Sequence, residues 1–390
     1  MRKFSAHRIY PVNSPPISFG IVETSDDGTI LNIRDTGRKP VEEAGLEFYS
    51  GIITPGFVNA HVHLELSHLK GLIPEQTGIS GFVSAVSKIR PADSEKIRRS
   101  AIQADRIMYR NGISGAGDIS NTDTSLKIKQ CSQIRYHTFI EVFGLNSGVA
   151  AERFSQALKI QKLFNEAGLS CTLSPHAPYS VGTDLWELLA RQNSESRRIT
   201  IHHDESPAER DLLEDRRGEM ADSFTAAGFD LTRIPDEAGH FYALLGKYLP
   251  DPDWILVHNT MTDPLKVPYP SKPGIYWVLC PRSNQYIENR LPDINAFAAS
   301  GLTICLGTDS LASNHSLSVL DEMKSVQAAV SGISFETLLQ WGTINGARAL
   351  GMEKILGTIE TGKKPGLVHI PVFDWTHECL TENSQPNRLI

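Results

Sequence analysis

Apolar positions recur along the chain in two textures. Over the first fifty residues they alternate in short stretches, Gly20 to Thr24 and Ile30 to Arg34, separated by the turn sequences SDDG and GRKP. Such alternation predicts a few antiparallel strands. From Ile52 the texture changes to compact apolar runs, each followed by a polar loop and a helix-like stretch. The first four runs are Ile52 to Leu64, Gly112 to Ser120, Tyr136 to Gly144 and Leu169 to Pro178. The next four are Arg198 to Glu205, Trp254 to Asn259, Tyr276 to Asn284 and Leu302 to Ser310. Helical patterns lie between them, for instance Ala150 to Ala167 and Leu317 to Val330. Eight strand-and-helix units predict parallel connectivity and a closed (β/α)8 barrel, an α/β fold of TIM type. An open doubly wound sheet fits less well, because no GxGxxG turn follows the first run. After a helical pattern over Glu336 to Leu350 the chain returns to turns and strands in GTIETGKKPGLVHIPVF. We therefore expect a small β-sandwich domain built from both chain ends, residues 1–52 and 355–390, beside a barrel over 53–354.

Composition narrows the partners. A net charge of −7 and a pI near 6.0 argue against nucleic acid, whose binding leans on clustered Lys and Arg. No run approaches the ~18 apolar residues of a membrane span, and the N-terminal MRKFSAHRIYPVN lacks a signal-peptide apolar region. The five cysteines are scattered, with no CxxC pair, and read as reduced residues of a cytoplasmic protein. The expected partner is a small molecule, with no nucleic acid and no membrane, and a homodimer is left open.

The polar residues at the run ends carry the chemistry. In NAHVHLELSHL, Asn59 to Leu69, strand alternation sends His61 and His63 to one face, the interior of a barrel. Barrel active sites are built at the C-terminal strand ends, and the placement repeats: His176 ends the fourth run, His202 lies in the fifth, His258 in the sixth and Asp309 in the eighth. One such histidine is more often structural than not. Several converging on one mouth, with an aspartate, are the donors that a zinc-like cation takes while leaving a position for water. His61, His63, His202 and Asp309 make the best ligand set. Alternation puts only one of the pair His202–His203 inward. Glu205 follows His202 by three residues and could reach the open position as general acid/base, its blander role being to cap the next helix beside Ser206.

With these residues in hand, the chain resembles the amidohydrolase superfamily of metal-dependent barrel hydrolases over nearly its whole length. PGFVNAHVHL is similar to the family's HxH signature, and IHHDESPAE to the HxxE element of its deaminase branch. LVHN, LCPRSN and LGTDSLASN follow in the family's order, and LGTIETGKKPGLVHI resembles the return into a small β-domain. The resemblance implies that His61, His63, His202 and Asp309 hold one divalent metal, most often zinc, with ferrous iron the alternative. It implies that Glu205 protonates a substrate ring nitrogen, that His258 hydrogen-bonds the attacking water or its adduct, and that Asp309 takes the water proton. Binuclear members carry a lysine at the end of the fourth strand, where TLSPHAPYS offers His176, so a single metal is expected. The segment NAHVHLELSHL, followed by GFVSAV, is most similar to aminodeoxyfutalosine and adenosine-type deaminases.

The leading reading is thus hydrolytic deamination of an aminated heterocycle, a 6-aminopurine nucleoside-like compound such as aminodeoxyfutalosine, by activated water. The alternatives are an imidazolone-type cyclic amide hydrolase and an inactive barrel scaffold. Four residues are candidate substrate contacts. His176 and Glu65 would take sugar hydroxyls, Glu65 because it shares the parity of His63. Ser313 would lie above Asp309, and Arg282 would meet a substrate carboxylate. The charged, Gly-punctuated stretch 210–246 suggests long helical loops over the barrel mouth.

Overall fold

The computed structural model describes residues 1–90, 92–192, 198–249, 253–267, 274–330 and 332–390. Strands β1 (Arg2–Ile9), β2 (Ile17–Ser18), β3 (Ile21–Thr24), β4 (Ile30–Arg34) and β5 (Leu46–Pro55) open the chain. With β14 (Leu367–Ile370) and β15 (Asn387–Arg388) from the other end they form one seven-stranded sheet, ordered β15-β14-β5-β1-β3-β4 with β2 on β1. Phe4, Ile9, Val22, Ile53 and Leu367 form its own apolar cluster. The first long apolar run is therefore two strands rather than one. Ile52 to Pro55 pair with β14 in the terminal sheet, and the barrel begins at Phe57. Gly56 makes the break, since an added Cβ there would lie 2.6 Å from the Pro365 carbonyl oxygen.

Eight parallel strands follow: β6 (Phe57–Val62), β7 (Ile113–Ser120), β8 (Arg135–Val142), β9 (Ser170–Pro175), β10 (Arg198–His203), β11 (Asp253–His258), β12 (Ile275–Leu279) and β13 (Ile304–Leu306). They pair in two runs of four, β6 to β9 and β10 to β13. Two seams close the ring. At one, the His202 N–H donates to the His176 carbonyl at 2.9 Å. At the other, Val62 bridges Asp309 in parallel fashion, and the His61 carbonyl accepts from the N–H groups of Thr308 and Asp309. Asn59 reinforces this second seam through both side-chain atoms, donating to Thr308 Oγ1 at 2.7 Å and accepting the Thr308 N–H. Val58, Ile119, Phe139, Ile255, Val278 and Cys305, from six different strands, pack across the lumen.

Two expected elements are shorter than their apolar patterns. The strand in YWVLCPRSN stops at Leu279, and Pro281 opens a helix, Pro281–Glu288, as proline favours a first helical turn. The pattern over Glu336 to Leu350 is two helices, Phe335–Trp341 and Ile344–Ala349. The Gly342 carbonyl between them accepts from Val58 of the barrel rather than continuing a helix. The 210–246 region contributes the helices Pro207–Asp215 and Glu219–Ala226, two short 3-10 turns and the start of Phe241–Tyr248. No described helix is long and apolar enough to cross a membrane.

Candidate active site

Strand geometry alone does not bring the imidazoles together. In β11 the period of two sends Ile255 and Val257 into the lumen, so His258 would face outward. Its φ of +77° turns it back, and its ring lies 5.8 Å from that of His61 and 5.4 Å from that of His202. In β6 Val58 and Ala60 occupy the lumen, and a register break between Asn59 and Val62 lets His61 join them. Asp309 follows β13 with a φ of +54°. Non-glycine residues rarely adopt this left-handed region and cluster at functional sites, where the surroundings hold them.

The donor atoms converge closely. His63 Nε2 lies 3.1 Å from His61 Nε2, 3.4 Å from His202 Nε2 and 3.3 Å from Asp309 Oδ1, and His61 Nε2 lies 3.6 Å from that oxygen. Zinc bonds of ~2.0–2.1 Å at tetrahedral angles place neighbouring ligand atoms about 3.3 Å apart. These spacings match that edge. The site is buried, so three imidazoles there cannot be charged together. Burial pushes the pKa of His63 down to about 4 and that of His61 below the usual histidine value. Burial also opposes ionisation of Asp309, but His61, His63 and His258 more than offset it and hold its carboxyl well below the ordinary range. Neutral imidazoles facing an ionised carboxylate fit a divalent cation. His258 with His61 and His202 makes a second close grouping.

Two of the four candidate ligands, His202 and Asp309, are held from behind. The Nδ1–H of His202 donates to the His176 carbonyl at 2.9 Å, which turns the lone pair of Nε2 toward the cluster. Asp309 Oδ2 accepts from Ser283 Oγ at 2.7 Å and from Ser313 Oγ, so Oδ1 alone faces the imidazoles. His203 points the other way, with Nδ1 2.9 Å from Asn259 Oδ1 and its ring on Phe241.

Glu205 is buried beside the cluster, its Oε1 3.6 Å from His258 Nε2. Burial first, and then the carboxylates of Asp309, Glu209 and Glu288, push its pKa well above the usual range. It does not cap the following helix. Ser206 does, accepting from the Glu209 N–H at 3.1 Å, while the Glu209 carboxylate reaches back to the N–H groups of Glu205 and Asp204. This is a capping box shifted toward the preceding turn.

The cavity above these groups encloses about 290 Å³. Its apolar walls include Phe82, Val83 and Val86 from the helix Gly78–Ile89, Phe143 after β8, and Phe224 and Phe229 from the 210–246 region. Its polar wall holds His176, Glu141, Asn121 and Arg90.

Three candidate substrate contacts lie elsewhere. Glu65 is off the cavity because the chain turns into the 3-10 segment Leu64–Leu69 and leaves strand parity behind. Its oxygens accept from the Asn121 N–H and the Thr122 hydroxyl. Arg282 lies on the Pro281–Glu288 helix, donates to Asn314 at 3.2 Å and faces Glu322, outside the cavity. Ser313 is fully buried behind Asp309, its hydroxyl committed to that carboxylate. Glu141, Arg90, Asn121, Ser283 and Glu209 join the site without having stood out in the sequence. Glu141 carried a readable signal, a lone carboxylate at the end of the third barrel strand. Arg90 carried none.

Known proteins share this fold. The chain is 28% identical over 357 residues to aminodeoxyfutalosine deaminase of Deinococcus radiodurans, covering 85% of this chain and 81% of that one. Helicobacter pylori aminofutalosine deaminase, solved in complex with methylthio-coformycin, superposes with a TM-score of 0.82 at 22% identity over the full length of both chains. An adenosine deaminase from Xanthomonas campestris with bound zinc superposes at 0.72 and 20% identity, over 95% of this chain and 84% of that one. Residues 52–382 match the amidohydrolase family. The chain therefore belongs to the amidohydrolase family.

Proposed function

We propose that the protein is a hydrolytic deaminase of an aminated heterocycle, a 6-aminopurine nucleoside-like compound such as aminodeoxyfutalosine. The observation that carries this reading is Glu205, a buried carboxyl that favours its protonated form, set beside a cation-type donor cluster at the floor of an aromatic-walled cavity. Cyclic amide hydrolysis has less need of such an acid aimed at a ring nitrogen. The names of the relatives point the same way.

His61, His63, His202 and Asp309 would hold one divalent cation, and the imidazole-rich set favours zinc. Such an ion, when bound, lowers the pKa of water from ~15.7 to ~7. The rest falls to the chain's own residues. The aromatic walls bind the flat heterocycle with its amino-bearing carbon over the cluster. Glu205 passes its proton to the adjacent ring nitrogen, which makes that carbon electrophilic. Asp309 Oδ1, its partner oxygen fixed by two serines, accepts the proton released as water adds to the carbon. His258, neutral because burial pushes its pKa far down, steadies the new C–O bond by hydrogen bonding. Protonation of the amine from Asp309 and return of the new hydroxyl's proton to Glu205 break the C–N bond, and ammonia leaves with a carbonyl in its place.

The test is ammonia release from adenosine, methylthioadenosine and aminodeoxyfutalosine by the zinc-loaded protein, with imidazolone-type cyclic amides assayed in parallel. Ammonia from at least one nucleoside is expected. Hydrolysis of the cyclic amides alone would replace this reading with the amide hydrolase.

A further inference from the structure

The polar wall of the cavity leaves two acceptors without donors. Glu141, at the end of β8, receives the Asn121 Nδ2–H on Oε2 at 2.9 Å. Its Oε1 has no donor among the described residues. The nearest is His202 Nδ1 at 3.7 Å, whose proton already goes to the His176 carbonyl. His176 presents a second bare acceptor. The Ser180 hydroxyl gives its hydrogen to the Ala177 carbonyl, so Ser180 Oγ accepts from His176 Nδ1 at 2.8 Å. Nδ1 therefore carries the ring proton, and the lone pair of Nε2 is left free. Both residues line the cavity, and their ligating atoms lie within 4.8 Å of each other.

Acceptors that face a cavity with no protein donor are open to a ligand's, and a ligand that supplies those donors gains hydrogen bonds to them. A second cation does not fit this pair. His202 would have to be its third ligand, yet its Nδ1–H is committed to a carbonyl and its Nε2 faces His63. An ammonium group fits poorly as well. Arg90 donates to Asn121 Oδ1 at 2.7 Å, so a guanidinium stands on the same wall, one amide away from the carboxylate. Two adjacent neutral O–H donors satisfy both atoms.

We infer that Glu141, with His176, forms a subsite for a vicinal diol, and that Glu141 is the residue that selects substrates carrying a pentose ring with both hydroxyls. This rests on the deaminase reading only in that the diol belongs to the molecule whose heterocycle lies over the cluster. Asn121 is a positioning residue, holding the second carboxylate oxygen so that Oε1 stays turned to the cavity. Glu141→Gln keeps an acceptor for Asn121 but replaces the cavity-facing acceptor with an N–H donor.

The test compares adenosine with 2′,3′-dideoxyadenosine. Binding is measured by calorimetry on metal-loaded protein in a Glu205→Gln background, where turnover is suppressed, and kcat and KM are measured on metal-loaded protein with Glu205 intact. A hydrogen bond to a charged group implies that Glu141→Gln weakens adenosine binding by about ten- to a hundredfold. Dideoxyadenosine binding should change by less than about threefold, and the loss with adenosine should fall on KM rather than kcat. Equal losses for both nucleosides, or equal affinity for both in protein with Glu141 intact, overturn the diol subsite. So does failure to bind either one. Diol-dependent binding without ammonia release from any nucleoside leaves the subsite standing and rejects deamination instead.

Discussion

The main-chain N–H of Glu205 donates to the Glu209 carboxylate at 2.7 Å. The candidate proton donor is therefore held by the first turn of the helix that follows it, one residue after a left-handed Asp204 at φ +54°. Glu209→Ala removes that hold and takes the carboxylate partner from the buried N–H of Glu205 and the half-buried N–H of Asp204. Because small misplacements of reacting groups carry large rate penalties, we expect turnover to fall by about a hundredfold. KM and metal content should change little. Near-native turnover in this variant would show that Glu205 is positioned by its side-chain surroundings alone.

Glu205 itself should show its raised pKa in the pH profile. A carboxyl whose pKa is raised keeps its proton to higher pH than an ordinary carboxyl and loses it as the pH climbs, so kcat should decline on the alkaline side. Glu205→Gln cannot donate in this way. Its kcat should be lower by ~10²–10⁴ and flat where the parent declines, with the metal retained. Loss of metal from this variant would make Glu205 a ligand.

Ser283 and Ser313 both bond the far oxygen of Asp309. Partners of this kind typically contribute 10–100-fold to metal affinity. The double variant Ser283→Ala, Ser313→Ala should therefore lose zinc to a competing chelator at about ten- to a hundredfold lower chelator concentration. Elemental analysis of the parent should return one divalent ion per chain. Two ions per chain would count against the single ligand set.

Glu65 bears on stability rather than substrate. Burial raises its pKa from 4.5 to about 7. Between those values the folded chain holds a proton that the unfolded chain has released, so stability falls as pH rises through the window. Glu65→Gln should flatten that fall in Tm, since the Thr122 hydroxyl can turn to accept from the new amide. An unchanged slope would assign the pH dependence to other buried carboxyls.

Much of the ring was legible because a parallel barrel strand is a compact apolar run with its chemistry at one end. His61, His63, His202 and Asp309 stood out as polar residues where apolar ones were due. The readings that did not carry over share one cause, the assumption that strand geometry continues past the last apolar residue. For Glu65 the chain had already turned at Leu64. For Arg282 the helix at Pro281 reset which way the side chain points. The left-handed turn at His258 has no sequence signature of its own. The partnership of Ser313 with Asp309 depends on a loop folding back on itself, which periodicity does not encode.

The first and last strands of the ring share a backbone seam at His61 and Asp309. Any ion gripping both side chains therefore also rivets the cylinder shut. During synthesis His61, His63 and His202 emerge well before Asp309, so a growing chain offers three imidazoles and no carboxylate. Full grip must wait until the eighth strand has docked. Because an ion bound only by the finished form stabilises that form, occupancy becomes a timestamp of completion. An ion held by these side chains would be given up by an unfinished or unzipped chain and kept by a closed one.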